Sequence, residues 1–211
     1  METLFYTDFD YFASSAQLAA VLTTTGPLVG TASLQITRVS GSAVTSVNVV
    51  PKVEKRQGTT TGQLRVLFKH TVGGSTSQQF GLFCMQSQRD LRTSGAAYGL
   101  RVRGTNLDLV KMSGGMVIAN LAQLATVGGL MTFNTLHAIE LRWAMDVTQL
   151  GGVLLTAWHG SAADYSSMTQ VLSYQDIAAP LTTTVSEGLF AIEGFGGAFA
   201  VLMDQLNLEG I

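Results

Sequence analysis

GAAYGLRVRGTNLDLVKMSGG, residues 95–115, is the stretch that decides the fold. Tyr98, Leu100 and Val102 alternate with Gly99, Arg101 and Arg103; beyond Gly104-Thr105, Leu107 and Leu109 alternate with Asp108 and Val110. A period of two on both sides of a short break is the pattern of a β-hairpin. Glycine at the first central position suits a two-residue type II′ turn, which needs positive φ there. With Gly104 and Thr105 as the turn, Arg103 faces Asn106, Val102 faces Leu107 and Leu100 faces Leu109. The same register sets Arg101 opposite Asp108 on the other face. One assumption thus yields an apolar face and an opposite-charge cross-strand pair.

Composition fits a protein built of such hairpins. The chain has 211 residues, 46% hydrophobic and only 12% charged, enough for a sizeable core in one β-domain spanning 1–211. A net charge of -2 leaves no electrostatic footprint for nucleic acid. The lone cysteine, Cys84, has no internal disulfide partner and reads as a small buried hydrophobe. The N-terminal METLFYTDFDYF lacks a basic segment followed by an apolar one, so no signal peptide is expected. No run of about 18 uncharged apolar residues suggests a membrane span. The expectation is synthesis in a cytoplasm without membrane insertion.

Working outward, residues 4–12 read as a first strand or edge. Its Asp8 and Asp10, two apart, could hold a cation only with further oxygen ligands, and the simpler reading is solvent-facing acids. Residues 14–21 (SSAQLAAV) suggest a short helix capped by Ser14 or Ser15, or a loop. Residues 34–53 give two strands broken at Ser40-Gly41-Ser42, with Pro51 at a strand end or edge. Lys52, Lys55 and Arg56 read as a solvated loop. Leu64, Val66 and Phe68 face inward between Arg65 and Lys69, and residues 80–85 (FGLFCM) form a strand covered on both faces. Residues 116–118 suggest a short strand, and 121–127 a helical turn or a loop. Residues 137–143 (HAIELRW) and 153–158 (VLLTAW) pair across a turn, residues 160–187 are polar, and 188–194 and 199–208 are the last strands. The sum is an all-β chain with little helix: a two-sheet antiparallel β-sandwich or jelly roll.

The order FGLFCM, YGLRV, LDLVKMSGG, LHAIELRW, VLLTAWHG, GLFAIEG and FAVLMDQLNL resembles the concanavalin A-like lectin/glucanase sandwich, above all its laminin G-like branch, over about residues 60–211. That resemblance implies a fold shared by lectins, glycosidases and structural modules. Glucanases of this fold carry acids at alternate positions of one strand, as ExDxE or ExDxxE. Here Glu140 and Glu193 each stand alone, so no catalytic residues and no enzyme activity are expected. Glu140 reads as a partner of Arg142 or another exposed base. The lectin branch implies an aromatic platform, for which Trp143, Trp158, Tyr165 and Tyr174 are the candidates, although a tryptophan at a strand end is more often a core plug. His70, His137 and His159 lack metal-ligand spacing, and no acid- and asparagine-rich calcium loop is present, so neither a metal nor a cofactor is expected.

Low charge, absent catalytic sets and Thr/Ser/Gln/Ala-rich strands resemble accessory virion proteins of tailed bacteriophages. This implies a virion structural protein, a capsid decoration, head-fibre or tail component, packing against other virion proteins and copies of itself. The alternative is a carbohydrate-binding, lectin-like module recognising a surface glycan. Neither reading has a nucleic-acid or membrane partner.

Overall fold

A computed structural model describes residues 2–3, 9–13, 18–25, 27–29, 32–38, 45–52, 58–72, 78–146, 151–161, 165–193 and 198–210. Its strands are β1 (Glu2–Thr3), β2 (Phe9–Ala13), β3 (Leu18–Thr23), β4 (Ser33–Arg38), β5 (Thr45–Pro51), β6 (Thr61–Val72), β7 (Gln78–Gln86) and β8 (Ala96–Arg103). They continue with β9 (Asn106–Ser113), β10 (Leu121–Val127), β11 (Leu136–Asp146), β12 (Gly152–Gly160), β13 (Thr169–Asp176), β14 (Ser186–Glu193) and β15 (Phe199–Gly210). All pair antiparallel. The first sheet runs β13-β12-β11-β6-β15-β4-β3, with β1 also on β15; the second runs β10-β9-β8-β7-β14-β5-β2. The chain is a two-sheet antiparallel β-sandwich.

The β8–β9 hairpin has the register its sequence implies: Leu100 pairs with Leu109, Arg101 with Asp108, and Val102 with Leu107. Gly104 takes φ +60°, as the first turn position requires. Period two then assigns the faces. Leu100, Val102, Leu107 and Leu109 meet Leu64, Val66, Phe68, Ile139 and Leu141 of the first sheet in one core. Each such side chain contributes roughly 1.5–3 kcal/mol by leaving water. All nine residues of β7 are buried, as a strand covered on both faces should be. Cys84 is among them, and burial pushes its thiol pKa well up, so it is a core residue rather than a nucleophile.

Polar ties close the ends of the sandwich. The Tyr98 hydroxyl and Lys111 Nζ, both from the second sheet, each donate to Asp176 Oδ2 of β13 at 2.6 Å. The Leu181 N–H then donates to the Tyr98 oxygen at 3.0 Å, fixing the connection that leaves β13.

Four expectations need correction. Residues 18–23 form β3, not part of a helix: pairing with β4 outweighs the helix preference of Leu18, Ala19 and Ala20, while 14–17 lie outside the described residues. Residues 116–118, expected as a short strand, are not one: the chain bends at 116–117 and Ile118 opens the 3₁₀ turn Ile118–Asn120; the helical turn or loop expected at 121–127 is β10. The polar stretch 160–187 contains an edge strand, β13. Its outward positions face water, so its composition looks like loop. The break expected at 40–42 lies outside the described residues, as do Asp8, Lys55 and Arg56.

Candidate functional site

The register of the first sheet lines up Gln170, Trp158, Glu140, Arg65 and Asn207 across β13, β12, β11, β6 and β15. The row lies on the outer face, because Ile139 and Leu141 flank Glu140 and point into the core. The adjacent row on that face is Ser173, Thr156, Arg142, Gln63 and Glu209.

These rows form one connected cluster. Arg142 Nε donates to Glu140 Oε1, while Arg65 Nη1 lies 3.7 Å from Glu140 Oε2. The Glu140 side chain is 2% exposed and that of Arg142 42%, so a buried carboxylate sits beneath an accessible guanidinium. Each guanidinium also stacks on an aromatic ring: Arg142 lies 4.1 Å from the Trp158 ring centre, and Arg65 lies 4.2 Å from that of Tyr165. Such stacking orders both partners and shields the ion pair from solvent. Trp158 Nε1 donates to Thr156 Oγ1 at 3.2 Å. Tyr165, in the 3₁₀ turn Tyr165–Ser167, folds back over the sheet, and its hydroxyl donates to the Gln205 carbonyl at 2.6 Å. Burial raises the pKa of that phenol and keeps it a donor at neutral pH. The result is a run of Trp158, Arg142, Glu140, Arg65 and Tyr165, aromatic at both ends and charged between.

The second sheet's outer face is closed by its own chain. Phe83 and Phe190 stack there at 4.0 Å and join Val110, Met112 and Ile192 in a small second core, capped by Leu91 and Met116 from the flanking loops. The Met116 N–H donates to the Leu91 carbonyl at 2.8 Å. Asn48 Nδ2 holds the Arg89 carbonyl at 2.8 Å, and Arg89 reaches Asp10 of β2 at 2.6 Å.

Of the four aromatic candidates, Trp158 and Tyr165 come together on the outer face. Trp143 and Tyr174 do not. Trp143 is 1% exposed and donates from Nε1 to the Thr59 carbonyl at 2.9 Å, so it is a core residue. Tyr174 pairs with Leu155 and packs against the same core. Glu140 does pair with Arg142, as its sequence implied. Sequence reasoning missed Arg65, whose partners lie on separate strands; the cue available was its outward parity beside Leu64 and Val66. It also treated the histidines separately, whereas His137 Nδ1 and His159 Nε2 are 3.1 Å apart.

The carboxylates of this framework are engaged. Asp108 is fully buried, which by itself would favour protonation, but hydrogen bonds from Arg103 and Thr126 and the Arg101 charge hold its pKa below the usual range. Asp176 behaves alike under Lys111 and Tyr98. Among the described residues, no group of three or more His, Cys, Asp or Glu side chains is placed to hold a metal ion.

No protein-family model matches the sequence, and no curated protein matches it. Solved structures do resemble the fold. The carbohydrate-binding module CBM66 from Bacillus subtilis superposes with a TM-score of 0.57 at 9% identity, covering 95% of each chain. A legume lectin-like domain from Entamoeba histolytica gives 0.57 at 10% identity, over 97% of this chain and 91% of that one. A carbohydrate esterase from the Shiga toxin-encoding bacteriophage phi24B gives 0.51 at 17% identity, over 95% of this chain and 89% of that one. The fold is therefore that of the lectin-like β-sandwiches.

Proposed function

We propose that this protein is a non-catalytic, lectin-like module that binds a glycan on the outer face of its first sheet. The observation that carries this reading is the run Trp158–Arg142–Glu140–Arg65–Tyr165 on the outer face of the first sheet, where the second sheet instead carries a small apolar core on its outer face. One face of a pyranose presents C–H bonds that pack on an aromatic ring, and its rim presents hydroxyls that need donors and acceptors. Trp158 supplies the ring; Arg142, Gln170 and Thr156 supply the rim. The fold's likeness to a carbohydrate-binding module and to a lectin-like domain supports the reading.

The absence of catalysis is part of the proposal. Glu140 is covered and paired with two guanidiniums, and the other carboxylate of the two rows, Glu209, lies at the far end of the adjacent row, where Gln63 Nε2 donates to it at 2.7 Å. A virion setting, with the module carried on a particle as an adhesive surface, is compatible with this role. Assembly through a broad apolar patch is less well supported: among the described residues the exposed large apolar side chains are Val72, Val117, Phe133, Leu154, Ile177 and Val185, which come from different segments of the chain. Screening on a glycan array tests the proposal. It predicts selective capture of one saccharide class without release of reducing ends. Uniform lack of capture across bacterial, plant and animal glycans would overturn it.

A further inference from the structure

At the end of the sandwich near the Gly104-Thr105 turn, the inner faces of β11 and β12 bring two imidazoles together. Ile139 pairs with His159 across the two strands, so His137, two residues back, is diagonal to His159. Their ring centres are 5.2 Å apart with planes at 38°, and His137 Nδ1 lies 3.1 Å from His159 Nε2. We propose that this pair is a binding site for a divalent late first-row transition ion, zinc, nickel or copper, held by His137 Nδ1 and His159 Nε2 with water completing its coordination.

Three features of the geometry carry the proposal. The first is spacing. With metal–nitrogen bonds of about 2.0–2.1 Å, two ligands stand about 3.3 Å apart at a tetrahedral angle and about 2.9 Å apart at a right angle. The observed 3.1 Å lies between these, so the nitrogens need little translation.

The second is the backing of His137. Thr132 presents its N–H at 3.0 Å and its carbonyl oxygen at 3.1 Å to His137 Nε2. Either tautomer of His137 is therefore satisfied. In the tautomer with hydrogen on Nε2, that nitrogen donates to the Thr132 carbonyl and Nδ1 keeps its lone pair facing His159. A backbone carbonyl behind a ligating histidine orients the ring and raises its basicity. Two neutral imidazoles carry two ring hydrogens; one lies in the Nδ1–Nε2 hydrogen bond of the free pair and moves to an outward nitrogen when the ion binds, so no net proton is released.

The third is access. His137 is 3% exposed, whereas His159 is only partly buried, so solvent reaches the pair from the His159 side.

The test is titration of the untagged protein with Zn2+, Ni2+ and Cu2+ at pH 7.5 by calorimetry, with Cu2+ also followed by electron paramagnetic resonance. The expected result is one equivalent bound with micromolar affinity, tightest for Cu2+, with couplings from two nitrogens. H159Q, on the partly exposed ring, should keep the fold and weaken binding at least about tenfold. His137→Gln is the second variant, read alongside circular dichroism. No saturable binding up to about 1 mM, a thousand-fold above the micromolar range, would overturn the site. So would affinity unchanged in a folded H159Q, which places the ion elsewhere.

Discussion

Arg101 and Asp108 face each other across the β8–β9 hairpin with side chains 5% and 0% exposed, their guanidinium nitrogens Nε and Nη2 3.0 and 2.7 Å from Asp108 Oδ2. Arg101 Nη1 also reaches Gln79 at 3.0 Å, and Arg103 Nε reaches Asp108 at 2.9 Å. The ion pair that sets the hairpin register is thus sealed on the outer side of the second sheet. Removing Asp108 strands Arg101. Asp108→Asn should cost about 3–5 kcal/mol, and replacing both residues by apolar ones of similar volume should cost much less. Urea unfolding of the single and double variants separates the two cases.

Gly81 pairs with Arg101 in the neighbouring strand, and a Cβ at Gly81 would lie 1.9 Å from the Leu100 carbonyl oxygen. Backbone cannot yield there without breaking the β7–β8 ladder. Gly81→Ala should therefore destabilise by about 3 kcal/mol or more, at the top of the range for overpacking. An unchanged unfolding midpoint would contradict this packing.

The histidines predict acid sensitivity well above the carboxylate range. Burial lowers the His70 pKa to about 4 from 6.5, and it lowers those of His137 and His159 as well. Between pH 6.5 and 4 the unfolded chain binds protons that the folded chain refuses, so stability falls as pH drops through that window. His70 alone should account for a loss of about 3 kcal/mol. Asp108 and Asp176 have the opposite shift, and their contribution is lost only as pH falls below 3.8. Urea midpoints from pH 8 to 4 should decline, and His70→Gln should flatten the curve.

The two tryptophans should separate stability from binding. Trp143→Ala leaves a cavity in the core and removes one of the two hydrogen bonds to the Thr59 carbonyl, and should cost about 3–5 kcal/mol. Trp158→Ala removes a partly buried ring from the outer face of the sheet and should cost about 1 kcal/mol. Thermal unfolding of both variants checks this ordering.

The hairpin, the central buried β7 and the pairing of β11 with β12 were legible because period-two patterning, a positive-φ glycine and a charge pair all agreed. The edge strands β3, β10 and β13 were not. β10 and β13 have water-facing positions rich in Gln, Thr, Ser and Ala, so their sequences carry loop composition, and only pairing with β9 and β12 makes them strands. The site was half legible. The aromatics could be named, but whether each faces the core or water depends on register. Trp143 and Trp158 differ in face, though both lie on neighbouring strands of one sheet. Arg65 and the His137–His159 pair join residues from separate strands, a juxtaposition that sequence spacing does not encode.

The central claim is that the Trp158 face binds glycan. Calorimetry with the best saccharide from an array, run on the wild type, Trp158→Ala and Arg142→Ala, tests it most directly. Stacking and a charged rim contact should make each variant at least about tenfold weaker, a loss of about 1.4 kcal/mol or more. Equal affinity in a folded Trp158→Ala would contradict the account and move the binding surface elsewhere on the sandwich.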